Sequence, residues 1–356
     1  MKVIQTSRRG FIRNIIVGGL AGSLAPGFES LAMAAESVAP KAPSSKVALT
    51  AGNDAVANIF NALQPFREQI ARAIGNKRVV VKPNNVAIDR DLCATPPTCL
   101  EGILEFLKSI GKTNVVIAES AANGPTMEGF DNYGYIKLAG KYGVKLMDLD
   151  QDDVAYLYAV DETDWRPHGI RIAKTMIDPN NFIISATRFK THDRVVATLS
   201  LKNIVVGAPI KDPGFTWGPN RKAGAKNDKP LTHGNGFRAI NYNLYRLAEH
   251  LHPHLAVLDG FQGMEGNGPV GGTAVDHRVA VASMDWLAAD RVALELMGID
   301  FAKVGYLNFC AQAGMGQADL KKIEIIGPAI TDHIKTYKLS TNIEKQLIWM
   351  KPVQRG

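Results

Sequence analysis

The sequence predicts an α/β fold, built on a mostly parallel or mixed sheet that is flanked by helices. Between residues 78 and 148, short β-branched runs alternate with amphipathic helical segments in a β-α-β-α-β order. That order is typical of parallel strands joined by right-handed crossovers. The 356 residues are also sufficient for one large buried core. Composition agrees, because 46% of the residues are apolar and 21% are charged, as in ordinary globular proteins.

The first half of the predicted sheet contains three strands and two helices. The run Arg78–Lys82 is rich in valine and predicts a buried strand. We expect Thr95 to cap a helix, since Pro96 and Pro97 suit a first helical turn and Gly111 would end it. The other predicted elements are a strand at Val115–Ala118, a helix at Tyr133–Tyr142, and a strand at Val144–Met147 that ends on Asp148.

The second half is less regular. Predicted strands lie at Ile170–Ile177, Phe182–Ala186, Leu255–Leu258 and Val279–Ala282, and a helix is capped by Asp285 and ended by Gly298. Residues 207–236 show little periodicity, and a loop of that length in a compact domain is usually functional or disordered. Its basic residues either close on an anionic ligand or keep the loop soluble; they are Lys211, Arg221, Lys222, Lys226 and Lys229, around Trp217.

The N-terminal residues predict export. Residues 6–13 (TSRRGFIR) resemble a twin-arginine (Tat) signal, followed by a short apolar stretch and by Ala32-Met33-Ala34 as a cleavage motif. We therefore expect a signal peptide at 1–34, a linker at 35–47 and a single α/β domain at 48–356. The expected location is the periplasm or the extracellular space, with the Tat export machinery as a partner. No later stretch has the roughly 20 apolar residues that a membrane-spanning helix needs.

Charge and cysteine content argue against two function classes. The net charge of +7 includes four basic residues of the predicted signal, so the remaining excess is mild and does not indicate a nucleic-acid binder. The cysteines are Cys93, Cys99 and Cys310, with no C-x-x-C run, so we expect no iron–sulfur cluster. An oxidising periplasm would permit one disulfide, and Cys93 and Cys99 are the nearest pair in the sequence.

Polar residues follow several of the predicted strands. Parallel strands present functional groups at their carboxyl ends, so these residues predict one polar crevice. They are Lys82, Asn84, Asn85, Glu119, Ser120, Asp148, Lys190, Thr191, His192 and Asp259. Strand ends also meet solvent, which explains any single polar residue equally well. The set as a whole favours a site.

Within this crevice, the candidate catalytic residues are Lys190, His192 and Lys202. The lysines, with Lys82, are expected to converge on His192 and bind an anion, while His192 acts as an acid or base. The candidate ligand-binding residues are Lys82, Asn84, Asn85, Thr95, Thr191, Asn203, Lys211, Gly266, Asn267 and Gly268. Asp259, Glu265 and His233 are candidate ligands of a divalent metal; alternatively, the two carboxylates share a proton and offset the lysine charges.

Two further motifs have open interpretations. Residues 260–272 contain six glycines, but neither a P-loop nor a dinucleotide fingerprint, so a ligand loop and a tight turn both explain them. His250, His252 and His254 alternate along the chain, which suits metal binding if the segment is extended and a helix end if it is not.

The ordered motifs together resemble the family catalogued as domain of unknown function 362, over roughly residues 78–327. The matching segments are Lys82-Pro83-Asn84, Ala94-Thr95-Pro96-Pro97, Phe189–His192, Leu199–Asn203, Asp259-Gly260, Met264–Pro269, Ala282–Asp285 and Ala288–Asp290. The resemblance implies the fold class but no particular reaction. Many members carry a ferredoxin-like module with cysteine runs, and this chain has no such runs.

Two functions stay open. The first is an exported enzyme that acts on a small anionic molecule through the lysine, histidine and carboxylate crevice. The second is a periplasmic ligand-binding or cofactor-maturation protein without turnover. The cofactor is unknown, and a divalent metal is compatible with both hypotheses.

Overall fold

A nine-stranded mixed sheet forms the centre of the described chain, which in this computed structural model comprises residues 44–213, 215 and 223–352. The predicted signal peptide, residues 35–43 of the predicted linker, and Trp217, Arg221 and Lys222 lie outside these residues. No helix in the described part is long and apolar enough to cross a bilayer. The mixed, mostly parallel α/β fold confirms the predicted fold class.

The sheet has the order β11-β1-β10-β9-β7-β2-β3-β4, with β8 paired to β7. Strands β5 and β6 form a separate antiparallel pair. The strands are β1 (Ser45–Ala51), β2 (Arg78–Lys82), β3 (Val115–Glu119), β4 (Lys145–Asp148), β5 (Val154–Val160), β6 (Pro167–Ala173), β7 (Asn181–His192), β8 (Val196–Thr198), β9 (Leu255–Asn267), β10 (Gly271–Ser283) and β11 (Ile323–Ile326).

Helices cover both faces of this sheet. They are α1 (Ala55–Leu63), α2 (Arg67–Ile74), α3 (Pro97–Ser109), α4 (Thr126–Asn132), α5 (Tyr135–Tyr142), α6 (Ser200–Gly207), α7 (Phe237–Ala248), α8 (Trp286–Leu296), α9 (Gly305–Gln312) and α10 (Ile343–Gln346). Val79 and Val81 of β2 pack in one apolar core with α1, α2 and α3, and Val80 packs in the other with α6, α7 and α8. Alternate residues of one buried strand therefore serve both cores, as the valine run predicts.

The parallel part of the sheet defines where a site belongs. Strands β4, β3, β2, β7 and β9 are parallel neighbours. The chain runs from β2 outward through β3 to β4, and then returns to the other side of β2 as β7. This reversal is a topological switch point, and ligands of open α/β sheets bind beyond the carboxyl ends of the strands at such points.

Several predicted boundaries are wrong in detail. Residues 45–47, expected to be linker, begin β1, where Val47 is fully buried. Thr95 does not cap α3, whose N-cap is Pro96. The predicted strand at Phe182–Ala186 continues to His192, and the glycine-rich segment 260–272 is a hairpin of β9 and β10 rather than a loop. All three cysteines are free and buried.

The predicted helix at Tyr133–Tyr142 is α5, which begins two residues later than expected. The predicted strand at Ile170–Ile177 is β6, which begins and ends earlier and is followed by a short 3-10 turn. The expected cap of α8 is confirmed, because the Asp285 carboxylate accepts two backbone N–H groups of the first helical turn.

Candidate functional site

A polar cavity of about 100 Å³ lies at the switch point between β2 and β7. Residues following β2 and β3, the end of β7, strand β8, helix α6 and the 3-10 segment Lys229–His233 enclose it. Its lining includes Lys82, Asn84, Asn85, Glu119, Ser120, His192, Thr198, Lys202, Gly207, Lys229 and His233. Six of the ten polar strand-end residues that the sequence predicts are in this lining, whereas Asp148, Lys190, Thr191 and Asp259 are not.

Lys82 and Glu119 form a buried ion pair at one wall of this cavity. Lys82 Nζ donates to Glu119 Oε1 at 2.7 Å, to the Pro83 carbonyl at 2.9 Å and to Asn203 Oδ1 at 3.1 Å. Glu119 Oε2 accepts the backbone N–H of Asn85 at 3.0 Å. Burial lowers the pKa of Lys82, and Glu119 opposes this shift. All three N–H groups of the Lys82 ammonium are used within the protein.

Asparagine side chains connect this pair to a second lysine. Asn203 Oδ1 also accepts from Asn84 Nδ2 at 3.1 Å, and Asn84 Oδ1 accepts from Lys190 Nζ. Lys190 donates in addition to the Cys93 carbonyl at 2.9 Å. Burial lowers the pKa of Lys190 to about 7. Lys190 and Asn203 therefore hold Asn84 in place from behind, and neither lines the cavity.

His192 and Lys202 lie in the opposite wall of the cavity, where their side chains contact each other. Lys202 Nζ lies 3.1 Å from His192 Nε2, and the backbone N–H of Arg194 donates to His192 Nδ1 at 3.0 Å. Burial, with the charge of Lys202 next, lowers the pKa of His192 well below its usual value. Burial also lowers the pKa of Lys202 to about 8. Both groups therefore favour their neutral forms more than in water.

Lys229 and His233 enter the cavity from the 3-10 segment. Lys229 Nζ donates to the carbonyls of Pro209 at 2.7 Å and Gly207 at 3.0 Å, so two of its three N–H groups are used in the described structure. Burial lowers the pKa of Lys229 to about 7 and that of His233 to about 3. His233 is therefore a neutral imidazole at physiological pH.

Three buried polar atoms of the lining have no hydrogen-bond partner among the described residues. They are Asn85 Nδ2, Thr198 Oγ1 and His233 Nε2. A buried polar atom without a partner costs about 1–3 kcal/mol. Native proteins rarely keep several such atoms in one place unless a ligand or solvent satisfies them. Three such atoms therefore face one cavity, where a bound ligand or solvent would satisfy them.

Some predicted ligand-binding residues have structural roles nearby. Thr95 Oγ1 donates to the Ala186 carbonyl and accepts the backbone N–H of Asn84 at 2.9 Å, so it fixes the turn after β2. Thr191 Oγ1 donates to the Gly266 carbonyl at 2.9 Å and joins β7 to the hairpin. Neither residue lines the cavity.

Lys211 lies behind the cavity rather than in its wall. Its ammonium pairs with Asp150, whose Oδ1 also accepts the backbone N–H of Lys211 at 3.0 Å. Asp150 accepts as well from the hydroxyl of Ser120, which does line the cavity. Lys211 therefore supports Ser120 indirectly. The expectation that it contacts a ligand is not matched by its position.

The hairpin residues Gly266, Asn267 and Gly268 also serve packing. The backbone N–H of Gly266 donates to the Lys338 carbonyl at 2.7 Å, and Asn267 Oδ1 accepts the Thr341 N–H at 2.9 Å. A Cβ at Gly268 would lie 2.1 Å from a backbone carbonyl oxygen of β7, so glycine permits this close approach. The hairpin thus holds the C-terminal segment, and these three residues do not line the cavity.

The three candidate metal ligands are not brought together. His233 lines the cavity, whereas Asp259 and Glu265 do not. Asp259 Oδ1 accepts the Phe261 N–H at 2.7 Å, and burial raises the pKa of Asp259 to about 6. Glu265 accepts the Lys338 N–H at 2.9 Å. Within the described ranges, no group of three or more His, Cys, Asp or Glu side chains is placed to hold a metal ion.

Two of the three lysines expected to converge on His192 line its cavity, and the carboxylate beside them differs from the two expected. Lys82 and Lys202 share the cavity with His192, and Lys190 reaches it through Asn84. The carboxylate that compensates lysine charge is Glu119, which pairs with Lys82. Asp259 and Glu265 lie within β9, which continues past the end predicted at Asp259, and neither lines the cavity. Glu119 is one of the polar strand-end residues predicted from the sequence, whereas no sequence pattern predicts Thr198.

The described residues form an α/β fold with a polar, lysine-lined cavity at its switch point. A family model described as "Domain of unknown function (DUF362)" matches residues 79–295, so the chain belongs to the DUF362 family.

Among curated sequences, the chain is similar to the thylakoid-associated protein sll1697 of Synechocystis sp.. The two are 25% identical over 229 residues, which cover 64% of this chain and 65% of the relative's length. The chain thus matches less than two thirds of that relative. No solved structure matches the chain.

Proposed function

We propose that this protein is an enzyme that binds a small anionic molecule in the switch-point cavity. The observation that carries the proposal is the surplus of hydrogen-bond donors there. The Asn85 amide nitrogen and the Thr198 hydroxyl have no partner among the described residues, and Lys229 keeps one N–H group unused. Glu119, the carboxylate of the lining, already accepts hydrogen bonds at both of its oxygens. Such a cavity is complementary to an acceptor-rich group such as a carboxylate or phosphate.

The charges support the same conclusion. Lys82 is paired with Glu119, whereas Lys229 forms no ion pair with a carboxylate in the described part of the chain. A buried cation without a partner is costly, which lowers its pKa. A bound anion would offset that cost. The anion is therefore expected to raise the pKa of Lys229 and to bind more tightly when Lys229 is protonated.

Catalysis is proposed over simple binding because of where these groups titrate. The pKa of Lys202 is lowered to about 8 and that of Lys229 to about 7. A histidine lies beside Lys202. Groups that exchange protons near neutral pH inside a cavity are typical of enzyme active sites. No step of this proposal uses a metal.

Calorimetry with sodium sulfate tests the binding. Sulfate keeps its charge between pH 6 and 9, so a change of affinity over this range reports on the protein. We expect saturable binding at pH 6.5 that weakens as the pH rises through 7, since Lys229 loses its proton there. Lys229→Met should weaken binding by about 1.5–3 kcal/mol, the contribution of a charged hydrogen bond.

The matched control is Lys137→Met, which removes an exposed lysine of α5 and should leave sulfate affinity unchanged. Equal weakening of sulfate binding in both variants would show that net charge alone determines the affinity. That result would refute a specific anion site. Saturable binding without turnover of any small acid would favour a ligand-binding protein instead.

Export through the Tat machinery is part of the proposal and is supported by the paired arginines in residues 6–13. The pair is what makes this signal recognisable, so Arg8→Lys combined with Arg9→Lys should keep the protein in the cytoplasm. Cell fractionation followed by immunoblotting measures this. The control Lys41→Arg changes a basic residue outside the motif and should not alter export. Normal delivery of the double variant to the periplasm would refute Tat export.

A further inference from the structure

The position of one hydrogen atom on His192 has a chemical consequence for Lys202. The backbone N–H of Arg194 donates to His192 Nδ1 at 3.0 Å. A backbone amide can only donate, so Nδ1 must present a lone pair and the ring hydrogen of the neutral imidazole lies on Nε2. Asp193 Oδ1 lies 3.4 Å from Nδ1, a distance too long to compete with the amide.

His192 Nε2–H therefore points at Lys202 Nζ, which lies 3.1 Å away. An ammonium group has no acceptor, so two donors would face each other if Lys202 were protonated. The contact is a hydrogen bond only if Lys202 is a free amine that offers its lone pair. No other described residue offers a hydrogen to the Nζ of Lys82, Lys190 or Lys229, which all donate to oxygen atoms.

We infer that Lys202 is a nucleophilic amine that forms an imine with a small oxo acid, a carbonyl compound that carries a carboxylate. This inference rests on the proposed anion site, which would hold the carboxylate at Lys229, Asn85 and Thr198. The Nζ lone pair attacks the carbonyl carbon, a carbon–nitrogen bond forms, and the carbon–oxygen bond breaks. The oxygen leaves as water with the two amine hydrogens, so the step needs no oxidant or reductant. A desolvated neutral lysine is the form that proteins use for this chemistry.

The size of the site sets the size of the acid. A cavity of about 100 Å³ accommodates a molecule of a few non-hydrogen atoms. A second cavity of about 360 Å³ shares Val86, Val206, Lys229 and His233 with it and extends outward past Arg90. A short oxo acid fits the inner cavity, and a longer substituent on the carbonyl carbon would occupy the outer one.

Reductive trapping tests the inference on the full chain. The wild-type protein is incubated with pyruvate or glyoxylate and then with sodium borohydride, which reduces an imine to a stable secondary amine. Peptide mass spectrometry should locate one adduct on Lys202, with the mass of the acid less one oxygen atom. Excess sodium sulfate should reduce this labelling in the wild-type protein. Lys202→Arg should abolish the adduct, and Lys137→Met should not.

The outcomes separate the two proposals. Sulfate binding without an adduct from either acid overturns the imine and leaves the anion site. Labelling spread evenly over exposed lysines and insensitive to sulfate also overturns the imine. Loss of both sulfate binding and labelling removes the anion site on which the inference rests. Because labelling and sulfate competition use the wild-type protein, the test holds even if Lys202→Arg does not fold.

Discussion

At the scale of single residues, the site is dominated by lysines that burial has moved toward neutrality. The pKa values of Lys190 and Lys229 fall to about 7, chiefly because burial disfavours the charged form. Each lysine donates to two oxygen atoms, yet neither has a carboxylate within ion-pair distance in the described structure. The protein without ligand therefore stores an electrostatic cost that an anion can relieve.

This cost predicts how stability depends on pH. An unfolded lysine has a pKa near 10.5, so between pH 7 and about 10 the unfolded chain binds more protons than the folded one at Lys229. Stability should therefore rise with pH in this window, by about 1.4 kcal/mol per pH unit for each such lysine. Urea unfolding at intervals from pH 7.5 to 9 measures the slope. Lys229→Met should lower the slope of stability against pH by about 1.4 kcal/mol per pH unit, the contribution of one lysine. Lys137→Met should not change this slope. An unchanged slope in Lys229→Met would contradict the shifted pKa.

The residues that sequence reasoning found are those fixed by short-range order. Lys82 is the last residue of a valine-rich strand, so its place at the carboxyl end of the sheet is set within a few residues. Lys229 was expected only as one of five basic residues of segment 207–236, because that segment has no periodicity that would place any one of them. Thr198 belongs to a strand of three residues, too short to show alternation. The second group depends on tertiary contacts that a sequence pattern does not contain.

At the scale of elements, the close packing of α6 against β2 shapes the site. Gly207 ends α6 where Lys82 passes it, and a Cβ there would lie 2.1 Å from Lys82 Cε and 2.2 Å from Nζ. The absence of a side chain at Gly207 thus lets the Lys82 ammonium reach Glu119. Lys202 and Asn203 are in the same helix, so the position of α6 fixes both walls of the cavity.

Gly207→Ala should therefore destabilise the protein and weaken sulfate binding, because the methyl group would push Lys82 away from Glu119. The control is Gly140→Ala in α5, where a Cβ would meet nothing within 4 Å. Alanine in a helix interior is more favourable than glycine by about 0.5–1 kcal/mol. The two substitutions should thus change stability in opposite directions. Urea unfolding measures both, and a gain in stability for Gly207→Ala would show that this close approach is not needed.

The strand ends were the weakest part of the sequence prediction at this scale. All twelve residues of β7 are buried, including Arg188 and Lys190. A sequence rule interprets such polar residues as the end of a strand. Here the protein satisfies them internally: Arg188 donates to the Ala94 carbonyl at 3.0 Å, and Lys190 donates to Cys93.

At the scale of the whole molecule, strand β1 precedes the family region in sequence and joins two strands of the C-terminal part of the sheet. Strand β1 lies between β10, its antiparallel neighbour, and β11, its parallel neighbour. The parallel order of β2, β3 and β4 follows from the alternation of strands and helices. The insertion of β1 does not, since pairing over more than 200 residues leaves no local pattern. Residues 45–47 were therefore included in the predicted linker 35–47, a segment rich in alanine, proline and serine.

This position of β1 predicts where the chain can be shortened. A chain that starts at Ala42 keeps all of β1 and should unfold cooperatively at the temperature of the full protein. A chain that starts at Gly52 lacks β1, so β10 and β11 lose their shared neighbour and the buried Val47 and Leu49 are removed from the core. Loss of two large core side chains costs about 2–5 kcal/mol each, a substantial part of the stability of a domain. We expect the second chain to be insoluble or to lack cooperative unfolding by calorimetry. Equal stability of the two chains would mean that β1 contributes nothing to the fold.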